Sequence, residues 1–188
     1  DIKNAVNEAA IFAARADRKE IVSNDFNQAI EKVMLGPERK SKIMSQYEKE
    51  VTAYHESGHA LIAAVLKHTD TVHKISIISR GMALGYTWTR PEEDRHLHTK
   101  EKFEDEISQL LGGRIAEKMM FNQQSTGASN DLQRATKCAH DMVTRYGMSD
   151  KIGPITFGDQ EEAIFLGRNF NDRKSYSDKI ASIIDDEV

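Results

Sequence analysis

Apolar residues in this chain recur mostly at spacings of three and four, and one short stretch alternates instead. Ile2, Val6, Ala9, Ala10 and Ala13 mark one helical stripe, and Phe26, Ala29, Ile30, Val33 and Met34 mark a second. Residues 1–35 therefore read as two helices, the second with Ser23 as N-cap and Gly36-Pro37 as its stop. Residues 38–50 are polar and charged, a linker or the solvated start of the next helix. That helix carries Val51, Tyr54, Leu61, Ile62, Val65 and Leu66 at helical spacing, with no proline from 51 to 69.

The period then falls to two. His73, Ile75 and Ile77 alternate with Lys74, Ser76 and Ile78. After a turn at Arg80-Gly81, Leu84, Tyr86 and Trp88 alternate with Gly85, Thr87 and Thr89, which predicts a strand pair. Its outer edges could take up an extended peptide, or the pair could simply roof the core. Residues 91–98 form a charged loop in which His96 and His98 are expected to be solvated. A long helix follows over about 99–121, with Phe103, Ile107, Leu110, Leu111, Ile115 and Met119 expected to face inward. Two glycines in its middle, Gly112-Gly113, cost about 2 kcal/mol relative to alanine, so they predict tight packing against another backbone near Gly58. Leu132, Ala135, Ala139, Met142, Val143 and Tyr146 stripe one more helix, which starts near Ser129-Asn130-Asp131 and is capped by Gly147. The fold expected is mainly α with a small β-hairpin.

Composition narrows the function classes. The 188 residues, 39% hydrophobic and 30% charged, suffice for one sizeable core and a small extra module. A net charge of -4 without a basic, aromatic-laced patch argues against nucleic acid as a partner. The longest clean apolar run, 60–66, is too short to span a bilayer. Cys138 stands alone, so no internal disulfide forms, and its apolar helical face suits a buried structural thiol. The chain opens without Met inside one helical pattern and closes inside another (Ile180, Ile183, Ile184, Val188), so it reads as a fragment of something longer.

The chemistry concentrates in His55-Glu56-Ser57-Gly58-His59. On a helix, i and i+4 share a face, so two imidazoles can grip one metal ion from the same side. Glu56, rotated about 100° from His55, lies beside the ion, placed to take a proton from water. This is the H-E-x-x-H pattern of zinc hydrolases. Catalytic zinc commonly takes three protein ligands. A third histidine six residues on is excluded, because that position is Val65. Spacing leaves Glu117 and Asp131 as nearly equal candidates. His73, Lys74 and Arg114 are possible oxyanion donors, each with a structural or exposed alternative role.

Several segments together resemble one family. Thr52-Ala53-Tyr54-His55-Glu56-Ser57-Gly58-His59-Ala60, Val72-His73-Lys74-Ile75, Ala83-Leu84-Gly85, Gly112-Gly113-Arg114, Ser125-Thr126-Gly127-Ala128-Ser129-Asn130-Asp131 and Phe165-Leu166-Gly167-Arg168 are similar to the peptidase domain of the FtsH family, membrane-anchored ATP-dependent zinc proteases. Asn7-Glu8-Ala9-Ala10 resembles the end of that family's AAA+ helical lid. Ser57 stands where the family often has Ala, with no loss of activity expected.

The resemblance implies zinc held by His55, His59 and Asp131, with Glu56 as catalytic base. It implies residues 1–35 as the end of the lid, 36–50 as a linker and 51–188 as a C-terminally truncated helical zinc peptidase domain. It also implies a homo-hexamer that cleaves unfolded or membrane-protein substrates delivered by an ATPase ring. The family's ATP-binding core and membrane anchor are expected to lie outside this fragment. The full-length protein is then expected at the inner membrane, with this domain facing the cytoplasm.

Overall fold

The computed structural model describes residues 1–38, 44–81, 83–91, 97–157 and 176–188. His96 and the stretch 165–168 lie outside them. In chain order the described elements are α1 (Ile2–Arg15), α2 (Ser23–Leu35), α3 (Gln46–Val65), β1 (Thr71–Ser76), β2 (Tyr86–Arg90), α4 (Lys100–Phe121), a 3-10 turn (Thr126–Ala128), α5 (Ser129–Thr144) and α6 (Asp178–Glu187).

The first two helices pack through small residues, with Ala9, Ala13 and Ala29 buried between them. Ser23 is not the cap of α2 but its first residue, and Val22 holds the cap position. The Asp25 carboxylate reaches back to accept the Val22 N–H at 2.9 Å while Arg18 donates to both its oxygens at 2.6 and 2.8 Å. The charged acceptor held by Arg18 fastens the backbone at Val22, one residue before Ser23. Beyond α2 the pair meets the hairpin loop through charge. Glu31, nearly inaccessible, accepts from Lys74 and Arg80, and Arg80 also donates to Glu38 at 2.7 Å.

A capping box starts α3: the Ser45 hydroxyl accepts the Glu48 N–H at 3.2 Å and the Glu48 carboxylate accepts the Ser45 N–H at 2.8 Å. The helix thus begins within the polar stretch 38–50 that preceded the apolar pattern. Strands β1 and β2 pair antiparallel, with Ile75 opposite Thr87 and Ser76 opposite Tyr86. A bulge between Val72 and Lys74 leaves His73 as the extra residue. Arg80 and Ala83 close the expected turn with reciprocal backbone bonds of 3.2 and 2.9 Å. The buried position of β1 is Ser76, while Ile75 and Ile77 are exposed.

The packing of α3 across α4 forms the centre of the molecule. The glycine expectation holds at this crossing. A Cβ at Gly58 would lie 2.4 Å from the Gly112 carbonyl oxygen, and one at Gly112 would lie 2.8 Å from the Gly58 carbonyl oxygen. Backbone meets backbone there, so neither residue can carry a side chain.

The expected inward stripe of α4 is corrected in part. Leu110 is buried, but Ile115 and Met119 are 52% and 78% exposed. The side of α4 turned toward α3 is given to Gly112, Gly113 and Ala116, because α3 comes too close for bulky residues. Ile115, two residues beyond Gly113 and about 200° around the axis, points away. Helix α5 packs on α4 with Ala135, Met142 and Val143 buried, and Ile184 of α6 is buried in turn. It ends at Thr144, short of Gly147, which turns the chain afterwards at φ +60°. Tyr146 lies past the helix and stacks on Phe103 at 5.3 Å.

Candidate metal centre

Three elements each supply part of the site. His55, Glu56 and His59 are all buried on α3. Helix α4 passes over the two imidazoles at Gly113, where a Cβ would lie 2.6 Å from the Nε2 atoms of both His55 and His59. The 3-10 turn then aims the first turn of α5 at the same point, and Asp131 lies in that turn. Its Oδ2 is 3.2 Å from His55 Nε2 and 3.3 Å from His59 Nε2, while the two Nε2 atoms are 3.0 Å apart. Among the described residues this is the group of histidine and carboxylate side chains whose donor atoms converge for a metal ion.

The outer nitrogens fix what the inner ones can do. His59 Nδ1 is 2.7 Å from the carbonyl oxygen of Gln109, which can only accept, so Nδ1 carries the proton. His55 Nδ1 is 2.7 Å from Glu117 Oε1, and Glu117 Oε2 accepts the Ser125 N–H at 3.0 Å. Neutral imidazoles held this way turn two bare Nε2 lone pairs toward each other and toward a carboxylate oxygen. Three acceptors in van der Waals contact, with no donor among them, need a cation. Donor atoms around a tetrahedral zinc with bonds of about 2.0–2.1 Å stand about 3.3–3.4 Å apart, near the spacings found here. The residues present therefore fit zinc.

Electrostatics agree with that geometry. Burial pushes the Asp131 carboxyl up, but hydrogen bonds and charge from the two imidazoles outweigh it and hold it far below the usual carboxylate range. Burial pushes the His55 imidazole down, and Asp131, Glu117 and Glu56 reverse that, leaving it above its ordinary value. A proton on the imidazoles would thus stand in for the cation. Glu56, unlike Asp131, is raised: burial pushes it up, and the Thr87 hydroxyl and the histidines only partly oppose the rise.

Glu117 and Asp131, equal by spacing, take different positions in the structure. Asp131 shares the inner point with both histidines, whereas Glu117 lies behind His55 on its outer nitrogen. The candidate oxyanion donors are engaged elsewhere: Lys74 with Glu31, Arg114 with Gln124 and His73 against the Trp88 ring. His98 is exposed, as expected of a loop histidine. Sequence reading missed Gln109, whose contribution is a backbone carbonyl and carries no residue signature. Thr87 was missed too, though its place two residues after Gly85 in the expected strand was a usable signal.

Comparison with known proteins bears on this centre. The pattern of Peptidase family M41 matches residues 42–188. Proteins named ATP-dependent zinc metalloprotease FtsH 1 from Sphaerobacter thermophilus and Thermomicrobium roseum are 53% and 51% identical over the whole chain. ATP-dependent zinc metalloprotease FtsH from Acidobacterium capsulatum is 52% identical, again over the whole chain. The chain spans 29% of the length of each of these curated relatives. With the family pattern covering most of its length and the likeness to these relatives covering all of it, the chain belongs to peptidase family M41.

Proposed function

We propose that this chain is the proteolytic part of a zinc-dependent endopeptidase, with His55, His59 and Asp131 as zinc ligands and Glu56 as general base. The observation that carries this reading is the convergence of the two imidazole Nε2 atoms and an Asp131 carboxylate oxygen to within 3.0–3.3 Å of one another, beside the buried Glu56 carboxylate. When bound, the ion supplies a Lewis acid that polarises a peptide carbonyl and acidifies a water molecule. Glu56 takes the water proton and passes it to the leaving amine. Glu117 and Gln109 keep both imidazoles in the tautomer that ligates, and Glu117 anchors the loop before Asp131 through Ser125.

The remaining expectations concern the longer protein. Residues 1–35 are the end of an ATPase lid; the linker expected over 36–50 is shortened, because α3 already begins at Gln46 and the family pattern at residue 42. The helical pair α1–α2, joined to the hairpin loop by charges, supports that division. The relatives' name, ATP-dependent zinc metalloprotease, supports an ATP-dependent protease; the substrates we propose are unfolded or membrane proteins, and the assembly a homo-hexamer at the inner membrane with this domain on the cytoplasmic side. Among the described residues no helix is long and apolar enough to cross a membrane.

Glu56→Gln tests the reading. It should keep zinc at full occupancy and lose at least about a hundredfold in cleavage of an unfolded, casein-like substrate, the scale of a positioned acid–base group. Chelation should silence the wild-type protein and zinc should restore it. Cleavage at the normal rate by Glu56→Gln would refute the assigned base.

A further inference from the structure

We infer that Thr87 of β2 is a positioning residue for Glu56, an inference that rests on the peptidase reading above. The Thr87 hydroxyl lies 2.8 Å from Glu56 Oε2 and 2.9 Å from the Glu56 carbonyl oxygen. It therefore touches both ends of the residue, main chain and carboxylate. A glutamate stem has three rotatable bonds, and nothing in an α-helix alone selects the rotamer that turns the carboxylate toward the ion. A hydroxyl held on a separate element supplies that selection. Threonine suits the task because its branched Cβ restricts its own rotation.

The strand is built to come this close. Gly85 immediately precedes β2, two residues before Thr87. A Cβ at Gly85 would lie 2.7 Å from Thr52 Cγ2, 2.8 Å from the Ser76 carbonyl oxygen and 3.0 Å from Glu56 Cγ. The missing side chain at 85 lets the strand lie against the stem of Glu56, and Thr87 then reaches its tip. Ile75, opposite Thr87 in the register, is exposed, so the approach is not driven by an apolar contact at that rung. Glu56 is buried at 7% exposure, leaving little water to replace the hydrogen bond if it were lost.

Thr87→Val keeps shape and volume and removes the hydroxyl, and Thr87→Ser keeps the hydroxyl. In the zinc-loaded protein, with the unfolded casein-like substrate, Thr87→Val should lose roughly ten- to a hundredfold in kcat, the worth of a hydrogen bond to a charged group. KM and zinc content should stay within about twofold of wild type, and Thr87→Ser should recover kcat to within about threefold, since the lost term is orientation of the base and not substrate binding. Crystal structures of metal-free wild type and Thr87→Val give a readout that needs no turnover. Glu56 should keep one rotamer in the first and occupy several in the second. Wild-type kcat in Thr87→Val, equal losses in the valine and serine variants, or an unmoved Glu56 in the valine crystal would each overturn the inference. A wild-type protein without zinc-dependent cleavage would instead refute the peptidase reading, and the crystallographic comparison would still decide the role of Thr87.

Discussion

Gly113→Ala should separate zinc binding from folding. The added methyl would stand 2.6 Å from the Nε2 atoms of His55 and His59, against an ordinary contact of 3.4 Å, so the rings must retreat by about 0.8 Å. They cannot do so cheaply. Each is tied at Nδ1 by a 2.7 Å hydrogen bond, one to Glu117 and one to the Gln109 carbonyl. Metal bonds tolerate displacements of only about 0.2 Å. Zinc affinity should therefore fall by at least about a hundredfold, the top of the range for losing an outer hydrogen bond, because two ligands move at once.

The fold itself should suffer less. Alanine gains about 1 kcal/mol in helix propensity, against about 1–3 kcal/mol for overpacking, a net loss of about 0–2 kcal/mol. Melting with and without zinc reads both terms. The metal-free variant should melt within about 8 °C of wild type. A hundredfold weaker site forfeits about 2.7 kcal/mol of linkage, or about 5–11 °C of the zinc-induced rise. Gly58→Ala provides the contrast, since its methyl meets the Gly112 carbonyl at 2.4 Å and main chain cannot rotate aside. It should destabilise even the metal-free protein more than Gly113→Ala does. A Gly113→Ala protein that binds zinc as tightly as wild type would refute the reasoning.

Three further outcomes follow from the same geometry. Asp131→Ala should lose zinc affinity by more than a hundredfold in competition with a chelator, whereas Glu117→Gln should lose about 10–100-fold; the reverse order would make Glu117 the ligand. Arg80→Met should cost about 3 kcal/mol in urea unfolding, the low end for a broken buried pair because Lys74 still faces Glu31. For pH, the Arg18 guanidinium and the Val22 N–H hold Asp25 below its ordinary 3.8. Burial pushes Glu31 up, but Lys74 and Arg80 outweigh it and hold it below 4.5. Lowered folded values mean stability that is fully present above those ordinary values and lost as pH falls through the lowered ones. Melting temperature should thus drop below about pH 4.5, and Arg18→Ala should flatten part of that drop.

How far the sequence could be read depends on which residues carry a local signature. The metal helix was legible because His55 and His59 at i and i+4 beside Glu56 form a pattern that chemistry, not packing, demands. The close crossing was legible because paired glycines inside a helix are costly and point to a close neighbour. Ile115 and Met119 misled because apolar spacing names a stripe without saying which side a partner takes, and here the partner took the glycine side. Asp131 and Glu117 could not be ranked from spacing. Both are carboxylates that meet His55, Asp131 at the inner nitrogen beside that of His59 and Glu117 at the outer nitrogen, and only the loop between α4 and α5 decides which goes where. The cap of α2 shifted by one residue because Asp25 answers to Arg18, a partner seven residues upstream.

The seam between α2 and the hairpin loop has a consequence for motion. Glu31 and Arg80 are desolvated when the two parts touch, with 3% and 6% side-chain exposure, and would be hydrated once the parts are well apart. At intermediate separations they would have neither each other nor water, and that is the most costly arrangement. Such a joint would resist a pull on the first helices until the pair parts, because the contact is lost before water can replace it.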